Sequence, residues 1–240
     1  MKKQYAVVSG ADHGLGFSLV KQLLERGFHV IAGRFNEEEK KLEELWEQYP
    51  ENLCIRPLNI GSDESVKVFK EYVLANYEAI DLIINNGAIL GNIDKVLGDD
   101  LDFDEMLRVI NVNALGALRL VNALVRPLLA SDLKLVVTIS SEAGSIADCY
   151  REGWFAYGMS KAANNMQSAT VHNNLKKQGG RVLLFHPGHV ATYMKGHLDE
   201  EAKLTPDQSA EHILHQALDR EIPVTERPMF IDDTGAPMRW

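Results

Sequence analysis

With 240 residues, 45% hydrophobic and 25% charged, and no Pro/Gly/Ser-rich or like-charged linker, residues 1-240 are expected to fold as a single globular domain. A formal net charge of −9 argues against a nucleic-acid or anionic-membrane partner, since both select clustered Lys and Arg. No apolar run approaches the roughly 18 residues that cross a bilayer, Met1, Lys2 and Lys3 lead straight into a strand-like segment instead of a signal-peptide core, and Cys54 and Cys149 stand outside any CxxC spacing, so reduced thiols in a cytoplasmic protein are expected.

Along the chain, Tyr5 to Ser9 is a short apolar run that stops at Gly10, and Leu15, Leu19, Leu23 and Leu24 then recur at helical spacing, which predicts strand, turn and helix over 5–27. Residues 28–32 read as a second buried strand and 37–49 as a charged helix; 53–58 as a third strand and 62–77 as a helix opened by a Ser cap. A fourth strand is expected at 80–84, a long helix over 102–130, a fifth strand at 133–139, a second long helix over 155–178 and a sixth strand at 181–185. Strands apolar on both faces that alternate with helices give an α/β fold: a parallel, doubly wound Rossmann-type sheet covered by helices on both sides.

The first strand-to-helix turn reads Ser9-Gly10-Ala11-Asp12-His13-Gly14-Leu15-Gly16. Backbone N–H groups at a helix N-terminus attract anions, and Gly10, Gly14 and Gly16 let a pyrophosphate approach them; tight helix-strand packing is the plainer use of the same glycines. At the end of the second strand an NAD site wants an acidic residue for the ribose 2′-hydroxyl, whereas this chain has Arg34, which suits a 2′-phosphate. NADP(H) is therefore the preferred cofactor, with NAD(H) left open. His13 is a further donor candidate in the turn, and a solvated surface role is the alternative for it and for Arg34.

Tyr157 and Lys161 lie one helical turn apart, so their side chains share a face. A phenol holds its proton to about pH 10, and an ammonium within reach favours the phenolate, which suits a general acid. The spacing alone is a weak signal, and a tyrosine packed under a lysine stem would look the same. His186 and His189 flank Pro187-Gly188 without an acidic or cysteine partner, so no metal site is expected.

Taken together, these segments resemble the short-chain dehydrogenase/reductase family over essentially the whole chain. The family turn T-G-x-x-x-G-x-G is matched from Ser9 to Gly16, with a hydroxyl kept at the first position; N-N-A-G is matched by Asn85-Asn86-Gly87-Ala88 with its last two residues exchanged; and Asn59, followed by Ile60, stands where the family has an aspartate for the adenine amino group. The catalytic asparagine of V-N-x-x-G corresponds to Asn113, with Asn111 a neighbouring candidate; the catalytic serine corresponds to Ser141, the second of Ser140-Ser141; and P-G-x-V-x-T is matched by Pro187, Gly188, Val190 and Thr192 around the nicotinamide carboxamide. A C-terminal F-x-D-x-x-G-x-x-x-x-W ending, from Phe230 to Trp240, is similar to that of C-factor and sniffer-like carbonyl reductases in the same family.

The resemblance implies NAD(P)-dependent hydride transfer to a carbonyl, or the reverse, with Tyr157 as proton donor, Ser141 on the same oxygen, Lys161 lowering the Tyr157 pKa and binding ribose, and Asn113 linking the lysine to a proton route through a helix irregularity. Substrate walls are expected from Ile89 and Leu90, from Glu142 and 149–154, and from 189–205, where Leu, Tyr, Trp and Met favour an apolar or aromatic aldehyde or ketone and a small or open pocket. A homodimer or homotetramer through the two long helices is the family's habit. An NADP(H)-binding sensor with little turnover is the rival reading from another class, since fold alone does not decide activity.

Overall fold

The computed structural model describes residues 3–221 and 223–240. Met1 and Lys2, part of the segment in which no signal-peptide core is expected, lie outside the described residues. In chain order the elements are β1 (Tyr5–Ser9), α1 (Gly14–Glu25), β2 (His29–Arg34), α2 (Lys41–Gln48), β3 (Leu53–Pro57), α3 (Asp63–Asn76) and β4 (Leu82–Asn85). There follow α4 (Phe103–Ile110), α5 (Ala117–Leu129), β5 (Leu135–Ile139), α6 (Phe155–Leu175), β6 (Arg181–His186), α7 (Pro206–Leu218) and β7 (Met229–Asp232).

The strands form one seven-stranded sheet in the order β3-β2-β1-β4-β5-β6-β7, and each neighbouring pair is parallel. Alternation along each strand feeds two cores. Val8 faces the side where Leu19 and Leu23 of α1 meet Ile213 and Leu214 of α7, and Val7 faces the side where Phe69 of α3 meets Leu120 and Leu124 of α5. Strand order reverses between β1 and β4, and in such sheets the crevice beyond the strand C-termini at that point is where ligands bind.

Two elements were absent from the expectations. The α7 pattern is legible afterwards, with Ala210, Ile213, Leu214 and Ala217 on one buried face behind a Thr205–Gln208 capping box. Strand β7 spans only 4 residues and takes its identity from pairing with β6, which local pattern does not record. The predicted helix over 37–49 begins only at Lys41, because the Asn36 side chain accepts the Glu38 N–H at 3.0 Å and holds a turn there.

The expected long helix runs from the Asp102 cap, whose Oδ1 accepts the Glu105 N–H at 2.9 Å, to Leu129, but a π-helical turn over Asn111–Gly116 separates α4 from α5. By length and composition Phe103–Leu129 could cross a membrane, yet half of its most apolar window is buried, and Leu120, Leu124 and Leu128 are solvent-free core residues. This is how a core helix of an α/β protein reads.

The π turn presses Gly116 against the loop after β3. A Cβ on Gly116 would lie 2.9 Å from Ile60 Cγ1 and 3.0 Å from the Ile60 carbonyl oxygen. Gly116→Ala should therefore lower unfolding free energy by about 1–3 kcal/mol, the cost of overpacking a rigid contact, as read from urea denaturation.

Candidate active site

The glycine turn is fixed to the sheet by side chains from both flanking strands. Ser9, fully buried, accepts the Asn86 and Gly87 N–H groups on its hydroxyl, both at 3.1 Å, and donates toward Ile84 O at 3.4 Å. Asn86 Nδ2 then donates to the carbonyls of Ser9 (3.1 Å) and Gly10 (2.9 Å). The exchanged Gly87-Ala88 thus leaves the turn well held. Gly10 adopts φ +62°, and a Cβ there would lie 2.7 Å from Gly87 Cα; a Cβ on Gly16 would sit 1.9 Å from the Gly10 oxygen. Both positions admit glycine alone. His13 is the exposed N-cap of α1 with no side-chain cap bond, while Leu15 is buried, which leaves only its backbone N–H to face a ligand.

Asp12, which no sequence argument singled out, has a structural task in this turn. It is 5% exposed, and Oδ1 accepts the N–H groups of Phe35 (2.8 Å) and Asn36 (3.0 Å), which fixes the loop behind Arg34. Burial pushes its pKa up, against the pull of those same bonds. An acid inside the glycine turn was the available signal. Arg34 stands at the end of β2 as expected, but its guanidinium pairs with Glu43 of α2, and its Nε has no partner. The Asn59 amide oxygen, expected to be open for adenine, accepts the Gly61 N–H at 2.9 Å within its own turn, and the Ile60 side chain is buried.

The four catalytic candidates come from three elements. Asn113, in the π turn, accepts the Ile89 N–H on Oδ1 and donates from Nδ2 to Ile89 O, both at 2.8 Å, and to Ser160 Oγ at 2.9 Å. It ties the loop after β4 to α6, next to Lys161. Asn111 faces elsewhere, to Gly61 O and Arg119, which separates the two candidate asparagines. The two serines separate as well. Ser140 donates to Asn165 at 2.5 Å inside α6 packing, whereas Ser141 caps the short turn Glu142–Gly144 by accepting the Ala143 N–H and draws the Tyr157 pKa down.

Tyr157 is 8% exposed and Lys161 2%. Burial pushes the phenol up to about 12, offset in part by Ser141 and by the charge of Arg151, and burial pushes Lys161 down to about 8. The net shift of Tyr157 in this structure is thus upward, opposite in sign to the pull expected from Lys161. Lys161 Nζ donates to Ile139 O at 2.9 Å and lies 5.4 Å from the phenol ring centroid, and desolvation is the largest cause of both shifts. Trp154, in the left-handed region at φ 65°, opens α6 and meets the Tyr157 ring edge-on at 5.9 Å.

Pro187 to Thr192 follow β6. Pro187 O accepts the Ser209 hydroxyl at 2.7 Å, Gly188 turns at φ +77° against Leu204 and Asp233, and Val190 bridges to Leu204. His189 binds Asp199 at 2.9 Å, and burial lowers the pKa of His186, whose Nδ1 accepts the Glu142 N–H. Across the crevice, a Cβ on Gly14 would approach Thr192 Cγ2 to 3.4 Å. Glycine turn and Thr192 thus form a cradle of bare backbone, and Lys161 lacks a carboxylate partner among the described residues, so its ammonium is left with donors for ligand hydroxyls. A pyridine dinucleotide fits this donor set.

A model of the short chain dehydrogenase family matches residues 4–203, and the chain belongs to that family of NAD(P)-dependent oxidoreductases. It is 32% identical over 236 residues to a 1-hydroxy-2-glutathionyl-2-methyl-3-butene dehydrogenase of Rhodococcus sp. (strain AD45), covering 98% of each chain. Among solved structures, an NADPH-bound carbonyl reductase from chicken fatty liver superposes over 100% of both chains with a TM-score of 0.87 and 26% identity. The carbonyl reductase Sniffer of D. melanogaster shares the fold over 100% of both chains, with a TM-score of 0.87 and 21% identity.

The Lys161 shift has a signed consequence for stability. Between about 8 and its ordinary 10.5, the unfolded chain still binds a proton that the folded lysine has released, so stability rises with pH across that window. Relative to Lys161→Met, the cofactor-free wild type should gain about 3 kcal/mol over this range in urea unfolding. A flat difference would mean that the lysine titrates normally.

Proposed function

We propose that the protein is an NADPH-dependent carbonyl reductase that acts on small or aromatic aldehydes and ketones, or on the corresponding alcohols in reverse, with Tyr157 as the proton donor. The observation that carries this reading is the buried Tyr157 phenol with the Lys161 ammonium 5.4 Å from its ring centroid, beside the buried Ser141.

NADPH, when bound, supplies the hydride that reduces the carbonyl carbon. Gly10, Gly14, Leu15 and Gly16 would receive its pyrophosphate on backbone N–H groups, Arg34 its 2′-phosphate, and Val190 and Thr192 its carboxamide. A 2′-phosphate would have to win Arg34 from Glu43, an ion pair with a half-exposed carboxylate that is weak in water. Asn59, Ile60, Asn86 and Gly87 would line the adenosine side.

Tyr157 gives its proton to the developing alkoxide, and Ser141 donates a hydrogen bond to the same oxygen as its charge grows. The Lys161 ammonium, set among ribose hydroxyls, lowers the cost of the phenolate that remains. Asn113 keeps Ile89 and Ser160 in register, which holds the loop after β4 against the helix that carries both Tyr157 and Lys161. Exposed Tyr150, Tyr193, Met194 and Leu198 near the mouth support an apolar substrate and an open pocket.

Exposed Phe103 and Leu107 on α4, with Met159 and Met166 on α6, support a homodimer or homotetramer packed through these helices. Free Cys54 and Cys149 support work in the cytoplasm.

The test is a screen of aldehydes, ketones and diketones with NADPH and with NADH. Tyr157→Phe should keep the fold and NADPH binding and lose turnover by about 10²-fold or more. A variant that retained most of the wild-type rate would remove Tyr157 from its role, and NADH far better than NADPH would overturn the assignment to Arg34.

A further inference from the structure

Phe230, Asp232, Gly235 and Trp240 make up the C-terminal F-x-D-x-x-G-x-x-x-x-W pattern, and the proposed chemistry uses none of them. In the fold they build a hairpin. Asp232 Oδ1 accepts the N–H groups of Thr234 and Ala236, both at 2.9 Å, and the Thr234 hydroxyl at 2.7 Å. Gly235 reverses the chain at φ +88°, where a Cβ would lie 2.7 Å from Gln216 Oε1. The chain then runs back along β7: Ile231 pairs antiparallel with Pro237, and Met238 N–H donates to Phe230 O at 2.8 Å. Trp240 meets the Phe230 ring with centroids 5.5 Å apart.

The returning segment ends against the loop that joins Ser141 to Trp154. Trp240 O accepts the Ala147 N–H at 3.0 Å, and the Arg239 guanidinium pairs with Asp148. Asp148 is also set locally, because the Ser145 hydroxyl bonds its carboxylate and its N–H, each at 3.2 Å. Among the described residues, these two contacts are the hydrogen bonds and ion pairs that tie 146–149 to distant parts of the chain. The far end of the loop is tied separately, through Arg151 to Glu142, and Ile146 and Tyr150, on either side of the Ala147 and Asp148 contacts, are 80% and 73% exposed.

We propose that residues 236–240 hold the 145–154 loop in place as a wall of the substrate site, with Arg239 as the positioning residue that sets how large a carbonyl compound is accepted. The kinetic half of this inference rests on the carbonyl-reductase reading; the structural half does not. An exposed ion pair is weak by itself. Here it acts with a backbone hydrogen bond on a loop whose middle has no other long-range hydrogen bond or ion pair among the described residues, so its loss frees a whole segment. A small aldehyde that touches only Ser141 and Tyr157 would not feel this, whereas an aryl ketone that leans on the loop would.

The test compares full-length wild type, Arg239→Ala, Arg239→Lys and Asp148→Ala by hydrogen exchange, and by kinetics with propanal and with acetophenone. Arg239→Ala and Asp148→Ala should speed exchange in 145–154 while leaving β1, β4 and the glycine turn unchanged, and Arg239→Lys should restore most of the protection. The acetophenone KM should rise about fivefold with kcat held, a loss on the scale of one hydrogen bond, and the propanal KM should stay put. Unchanged exchange in the loop overturns the tether, and equal shifts in both KM values overturn the role in specificity. If the wild type reduces neither compound, the carbonyl-reductase reading fails on its own, and the exchange comparison still upholds or overturns the tether.

Discussion

The site depends on a hydroxyl that never meets solvent. Ser9 stands at the end of β1, where the sheet order reverses, and its Oγ serves the N–H groups of Asn86 and Gly87 and the carbonyl of Ile84 at once. Asn86 and Gly87 lie just past the end of β4, where the sheet ladder no longer supplies partners for their N–H groups. Asn86 extends the clasp to the carbonyls of Ser9 and Gly10. The crevice therefore opens between two strands that are locked at their tips, and the bare N–H groups of the glycine turn keep their aim without a ligand. That rigidity is what a phosphate-binding turn needs, because its donors are backbone and have no rotamers to adjust.

Desolvation governs the chemistry beside that crevice. Tyr157 and Lys161 are both pushed toward their neutral forms, and the group that already opposes this at the phenol is Ser141, with Arg151 behind it. The charged lysine is held by one carbonyl, Ile139 O. A site in this condition is poised: anything that brings hydroxyls to Lys161 without water favours the ammonium, and through it the phenolate. Asn113 contributes by geometry, since all of its polar atoms are spent on Ile89 and Ser160.

Much of this was legible in the residues. Six of the seven strands followed from alternation of buried apolar runs with helical spacing, because each strand carries its two-faced burial in its own composition. Strand β7 did not, since four residues hold too little pattern and the β6 edge decides their conformation. The positions of the glycine turn at the head of α1 and of Lys161 one turn from Tyr157 on α6 were legible from residue types at fixed spacing. What sequence does not carry is who else wants the same side chain: Glu43 pairs with Arg34, the Gly61 N–H bonds the Asn59 oxygen, and burial raises the Tyr157 pKa. Asp12 went unnoticed because its partners, Phe35 and Asn36, come from the next strand's end and are brought there only by the fold.

The left-handed Trp154 at the start of α6 has a consequence for evolvability. A bulky residue at φ 65° holds about 1 kcal/mol of backbone strain or more, and asparagine or glycine would relieve it. The same residue sets its ring edge-on to Tyr157 and takes the Arg151 guanidinium 4.7 Å from its centroid. Selection for a more stable fold and selection for an organised phenol thus pull in opposite directions at one position. A lineage kept under pressure for turnover should retain an aromatic residue here at the expense of stability, and one that has lost its chemistry should drift toward glycine.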